Sequence, residues 1–176
     1  MDGTATIIVL LVVLLVLYFV LKIVHIAIKE REIKDRNKEI DNQLKSHNVT
    51  FSKVLEWKNQ YNTNMFRVIV DDVQRNVYVS KGIKPEDFDR IPYDEIIDYQ
   101  VKVNEELDIH SIHYIEKKIT TFTATIFRKN LSKPSFIFDF AKASYTKPMD
   151  PKHYEYKSAV KFAEDLHATL KAIKTY

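Results

Sequence analysis

Seventeen consecutive residues without a charge, Ala5 to Leu21, constrain this chain more than any other stretch in it. Only Thr6 and Tyr18 interrupt a run of fifteen fully apolar residues, and after Lys22 the apolar character resumes as far as Ile28. As a helix, the segment to Leu21 is about 25 Å long and the segment to Ile28 about 36 Å. These lengths bracket the ~30 Å hydrocarbon core of a bilayer. Lys22 does not spoil the span, because its flexible stem lifts the ammonium to the interface. Tyr18, Phe19 and His25 fall where an interfacial belt would sit. A cleaved signal peptide needs a basic n-region and a small-x-small cleavage site. Met1-Asp2-Gly3-Thr4 has no basic side chain, and no A-x-A pattern follows the run. The expectation is a retained anchor over residues 1–28, carried by Ile7, Leu10, Leu14, Leu17, Phe19 and Leu21.

The flanks predict its orientation. Asp2 alone precedes the span, whereas Lys22, Lys29, Arg31, Lys34, Arg36 and Lys38 follow it. The positive-inside rule counts Lys and Arg, so the chain after the span is expected in the cytoplasm of a single-pass cell-membrane protein. The interleaved Glu30, Glu32, Asp35 and Glu39 do not enter that rule. Residues 29–48 continue as a polar helical stalk, read as a solvated spacer with i,i+4 ion pairs such as Glu30–Lys34. Ile26, Ile33 and Ile40 recur every seven residues with Leu44 in the matching position, while Glu30 and Asn37 occupy the other seam positions. That stripe makes poor coiled-coil material, and a weak homodimer along it is the alternative to the spacer. Ser46-His47-Asn48 ends the helical pattern.

From Val49 the apolar period changes to two. Strands are expected at Phe51–Leu55, Met65–Val70, Asn76–Ser80, Ile96–Val103, Ile109–Ile115, Thr120–Phe127 and Ser135–Phe140. Pro85 and Pro92 enclose a predicted loop that contains Phe88. From Tyr156 to Ile173 an apolar stripe of Ala159, Val160, Ala163, Leu166 and Leu170 faces away from Lys157, Lys161, Glu164 and Lys171. This predicts an amphipathic closing helix.

Composition excludes much of chemistry. The chain has no cysteine, which removes disulfides, thiolate metal sites and cysteine nucleophiles. Its two glycines, Gly3 and Gly82, leave no phosphate-cradling loop. A net charge of +3 is too small and too spread for a nucleic-acid partner. His110 and His113, three apart on a predicted strand, point to opposite faces and cannot chelate together. The remaining histidines read as surface or cap residues. Asp71/Asp72, Asp87/Asp89 and Asp94/Glu95 fall in predicted turns, where carboxylates serve backbone geometry. No nucleophile–base set can be nominated, so no cofactor, no metal and no enzyme activity are expected. Lys53, Lys58 and Arg67 flank the first hairpin, where a lipid headgroup would sit, but they are ordinary for a chain with 27 basic residues. Trp57 and Tyr61 are the candidate partner patch, against the plainer reading that they pack the core.

Seven antiparallel strands followed by one helix resemble the pleckstrin-homology-like (PH-like) architecture. Ile91-Pro-Tyr-Asp-Glu-Ile-Ile-Asp-Tyr-Gln-Val-Lys-Val103 is similar to a strand opening of small bacterial PH-like proteins, as are Phe136-Ile-Phe-Asp-Phe140 and the pattern from Tyr156 to Ile173. Those proteins often carry a glycine-rich insert where this chain has Asn104-Glu-Glu-Leu-Asp108. The resemblance covers roughly residues 49–175 and implies an α+β domain of that type over 49–176. In overall plan, an anchor, a stalk and a small domain, the chain also resembles prophage superinfection-exclusion proteins of Gram-positive bacteria. That resemblance implies a non-enzymatic factor that contacts a membrane protein and blocks the passage of phage DNA. A membrane-tethered adaptor in signalling, stress response or assembly is the alternative.

Overall fold

The computed structural model describes residues 3–59, 65–82, 88–111, 114–145 and 147–174; within these, the side chains of 3–6, 29–30, 33, 36, 65, 108–111 and 114–116 lie outside the description. One helix, α1 (Gly3–Ser46), runs without a break from the apolar span through the stalk. It stops in two interlocked backbone bonds, Asn48 N to Lys45 O at 2.9 Å and Val49 N to Leu44 O at 3.1 Å. Asn48 takes φ 60°, the left-handed conformation that such a helix stop needs and that asparagine tolerates. Val49 then packs with Leu44, the apolar contact that accompanies this stop.

Two antiparallel sheets follow. β1 (Lys53–Lys58), β2 (Met65–Asp71), β3 (Asn76–Ser80) and β4 (Phe88–Pro92) form a four-stranded meander. A single tight turn, Tyr93–Glu95, leads into β5 (Ile96–Ser111), β6 (Tyr114–Arg128) and β7 (Ser135–Asp139), a three-stranded meander. A short helix, α2 (Phe140–Ala143), is capped by the Asp139 side chain, and α3 (Tyr154–Lys174) closes the chain. The described residues thus hold an apolar N-terminal helix, two antiparallel sheets totalling seven strands, and C-terminal helices in an open α+β sandwich.

The core lies between the sheets and under α3. Phe140 is its aromatic hub, with ring centroids 5.2 Å from Trp57 and Phe66, 4.8 Å from Phe122 and 5.7 Å from Phe162. Such edge-on and tilted contacts suit the ring quadrupoles. The expected stripe on α3 is present: Ala159, Ala163, Leu166, Leu170 and Ile173 are buried against this core, with Val160 partly so.

Seven strands match the expected number, yet they are not the same seven. The segment Ile109–Ile115 is not a separate strand: it straddles the tip of one long hairpin, β5 to β6. β5 turns polar and exposed at Asn104-Glu105-Glu106, and a β-bulge at Thr120 of β6, opposite that step, shifts the phase of β6, so each long strand reads as a shorter one. The predicted loop with Phe88 and Asp89 is instead β4, an edge strand that tolerates Pro92 as its last residue.

The stalk also differs from a free spacer. Its last turns lie on the outer face of the first sheet, where Ile40 is 2% exposed. Leu44, Val49 and Phe51 pack with Ile69, Tyr78 and Phe88. Ile40 and Leu44 are therefore engaged by the domain, which takes two of the four stripe positions from a stalk dimer. Glu30 lies outside the described side chains, so the expected Glu30–Lys34 pair does too.

Candidate functional site

The structure offers three features that could support function: the apolar span, its junction with the domain, and the concave surfaces of the domain. The span is Ile7–Ile28, one helical segment of 22 residues with mean hydropathy 3.3, long and apolar enough to cross a membrane. No part of it is buried by the rest of the chain. Ile7, Leu10, Leu14, Leu17, Phe19 and Leu21 are all more than half exposed. In water that is a large apolar patch without a partner, and a bilayer is the solvent that suits it. Lys22, Arg31, Lys34 and Lys38 are exposed along the helix. The side chains of Lys29 and Arg36 lie outside the description.

The junction is built around a buried cation. Arg67, in the middle of β2, approaches Asp41 of α1 at 2.6 Å and Glu56 of β1 at 2.9 Å. Both are close ion pairs rather than well-aligned hydrogen bonds. One guanidinium thus faces two half-exposed carboxylates, so its burial is compensated by charge. At the same junction the Gln74 side chain donates to Asn48 O at 2.7 Å, and Asp71 accepts from Thr50 N at 3.0 Å. Three successive contacts, Asn48 with Gln74, Leu44 near Ile69 and Asp41 with Arg67, lay α1 along β2. The span therefore departs past the Met65 end of that strand.

The candidate partner patch does not survive intact. Trp57 is 1% exposed, its indole nitrogen donating to Ser158 Oγ at 3.0 Å and to Glu155 O at 3.3 Å. Its ring stacks on Phe66 at 5.3 Å. A tryptophan tied by its face to Phe66 of β2 and by its nitrogen to the start of α3 is core, not surface. Tyr61 lies outside the described residues. The lipid-headgroup trio is likewise dispersed: Arg67 is held at the junction, Lys53 donates to Thr169 Oγ1 at 2.8 Å, and Lys58 lies at the far end of β1.

A groove of about 540 Å³ lies between the β2–β3 turn and the C-terminal half of α3. Lys53, Asp72, Arg75, Tyr93 and Thr169 are its polar lining, over Val70, Ala172 and Ile173. Tyr93 donates to Asp72 Oδ1 at 2.6 Å, and the Arg75 guanidinium stands 5.3 Å over the Tyr93 ring. Burial and the bonded Asp72 carboxylate push the Tyr93 phenol well above its ordinary value. Tyr99, whose hydroxyl donates to Ala163 O at 2.9 Å, is raised by burial alone. Both phenols stay protonated, as structural donors do. A second concavity, lined by Lys81, Lys142, Lys147 and Asp139 beside Phe66 and Ile137, opens at the Met65 end of the first sheet.

Among the described residues no three His, Asp or Glu side chains stand together as metal ligands. His153 accepts from Glu155 N at 3.3 Å at the start of α3, His167 packs on the Tyr99 ring, and His113 lies outside the described residues. Asp89, expected in a loop, pairs instead with the buried Arg128 at 2.8 Å. Sequence reasoning missed the junction, although a charged Arg67 inside Met65-Phe-Arg-Val-Ile-Val70 was its signal. No family model, curated protein or solved structure matches this chain.

Proposed function

We propose that the chain is a single-pass membrane protein whose PH-like domain, on the cytoplasmic side, acts without catalysis by contacting another membrane protein. The observation that carries this reading is the junction. Ile40, Asp41 and Leu44 seat the domain on the same unbroken helix that forms the span. A domain fixed in this way meets the cytoplasmic faces of neighbouring membrane proteins at high effective concentration, so a modest interface suffices. The PH-like assignment is supported by a four-stranded meander, a three-stranded meander and a helix over the core between them. The basic flank from Lys22 to Lys38 supports the cytoplasmic placement.

Within this class, the role we propose is that of a prophage-type superinfection-exclusion factor, which stops phage DNA at the membrane. Its support is the plan of one span, a helical rod and one small domain. Expression in a susceptible Gram-positive host followed by phage challenge tests it. Normal adsorption with failed DNA injection, lost on deletion of residues 1–28, is the expected result. Unchanged plating for every phage tried overturns it. Digestion of the domain by protease added outside spheroplasts overturns the orientation.

A further inference from the structure

We propose that the open edge of β5 is a self-association surface, on which a second copy of this chain adds its own β5 in antiparallel register centred on Asn104. β5 is the edge strand of its sheet, paired to β6 on one side only. The start of that free edge is covered, since Lys174 reaches Ile97 O and the Asp98 carboxylate. From Val101 to Leu107 every residue is exposed. A strand edge of this length presents a row of unpaired backbone donors and acceptors, and the partner such a row fits is another extended strand.

The side chains say which strand. Val101 and Val103 stand opposite Ala124 and Phe122 of β6, so they lie on the core-facing side of the sheet, yet they remain 43% and 38% exposed. Leu107, opposite Lys117 on the same side, is 62% exposed. The other face carries Lys102, Asn104 and Glu106. With Asn104 opposite its own copy, Lys102 meets Glu106 of the second chain and Glu106 meets Lys102, giving two opposed charge pairs. The same register sets Val101 beside Leu107 of the other chain, twice, and places Val103 beside Glu105, whose carboxylate is paired with Lys117 of its own chain. Like faces must match across such a pair, which allows only shifts that move the centre by whole residues. Centring on Val103 leaves Lys102 opposite Asn104, and centring on Glu105 puts that carboxylate against its own copy. Of these registers the Asn104 one matches Lys102 with Glu106 and Val101 with Leu107. Lysine on an edge strand ordinarily guards against pairing; here Glu106, four residues on, gives it a mate. The span confines copies to one plane, which raises the chance that two edges meet. This inference shares the membrane span with the proposed function and is independent of the phage role.

The chain's lack of cysteine makes the test direct. In the full-length protein reconstituted in liposomes, Asn104→Cys should oxidise to a disulfide-linked dimer at least tenfold faster than Leu131→Cys, a fully exposed control on the β6–β7 turn. Paired residues of antiparallel strands lie about 4.5–5.5 Å apart between Cα atoms, within disulfide range. Adding Lys102→Glu should reduce that rate to the control's, and Lys102→Glu with Glu106→Lys should restore it. Far-UV circular dichroism on each variant establishes that the fold is kept. Equal rates for Asn104→Cys and Leu131→Cys overturn the proposal, as does a rate that ignores the charge swap.

Discussion

The two sheets of this domain live in different surroundings. In the first, every described side chain from Phe66 to Asp71 and from Asn76 to Ser80 is buried. In the second, β6 alternates buried and half-buried from Phe122 to Arg128, and β5 is exposed from Val101 to Leu107. The difference has two sources. The end of α1 covers the outer face of the first sheet alone, and β5 from Val101 to Leu107 runs beyond the cover of the core. A helix that begins as a membrane span therefore finishes as part of the domain's packing, and the first sheet depends on it in a way the second does not.

The strongest way to break that comparison is to undock the helix. Ile40→Ala should cost about 2–4 kcal/mol through lost burial and cavity formation. Arg67→Ala should cost about 3 kcal/mol, the scale for breaking a buried ion pair. Denaturant unfolding of the detergent-solubilised chain measures both. A loss below about 0.5 kcal/mol in each would mean that the first sheet does not need α1.

Alkaline titration sharpens the comparison with a smaller effect. Tyr93, at the corner between the sheets, and Tyr99, under α3, hold their protons in the folded state above the ordinary tyrosine range. An unfolded tyrosine ionises near pH ~10. Above that the unfolded chain binds fewer protons than the folded one, so stability is full below about pH 10 and falls as pH rises towards the raised values. Tyr99→Phe should flatten this decline, and an identical pH profile in that variant would contradict it. The smallest effect belongs to the exposed ribbon. Lys117 and Glu105 form a 3.3 Å pair in open solvent, and Lys117→Ala should change stability by less than about 0.5 kcal/mol. A larger change, measured by the same unfolding, would show that the hairpin is packed after all.

Legibility in the sequence follows the same division. The span, β2, β3 and β7 are readable as compact apolar runs, and α3 from its clean helical period. The β5–β6 hairpin divides wrongly because β5 turns polar and exposed at Asn104, and a bulge at Thr120 shifts the phase of β6 without any glycine or proline to mark it. β4 is hidden by its short length and by Asp89, whose charge is matched by Arg128, 39 residues away. The junction is hidden for a related reason. Ile40 and Asp41 are ordinary residues of an amphipathic stalk, and only the position of Arg67 in the folded sheet distinguishes them. Trp57 illustrates the converse, since an aromatic residue at the end of a strand looks the same whether it meets solvent or a helix that arrives about a hundred residues later.

The unbroken α1 turns geometry into a height restriction. Twelve residues separate Ile28, the end of the span, from Ile40, where the helix is seated on the domain; at helical rise that is about 18 Å. A leash of the same length would let the domain roam through a hemisphere and turn any face towards the bilayer. A rod seated at Arg67 holds it at one stand-off with one edge, the Met65 end of the first sheet, nearest the headgroups. Whatever this domain touches must present itself in that thin layer, and lengthening the rod by a few residues would both raise the domain and rotate it by about 100° per residue.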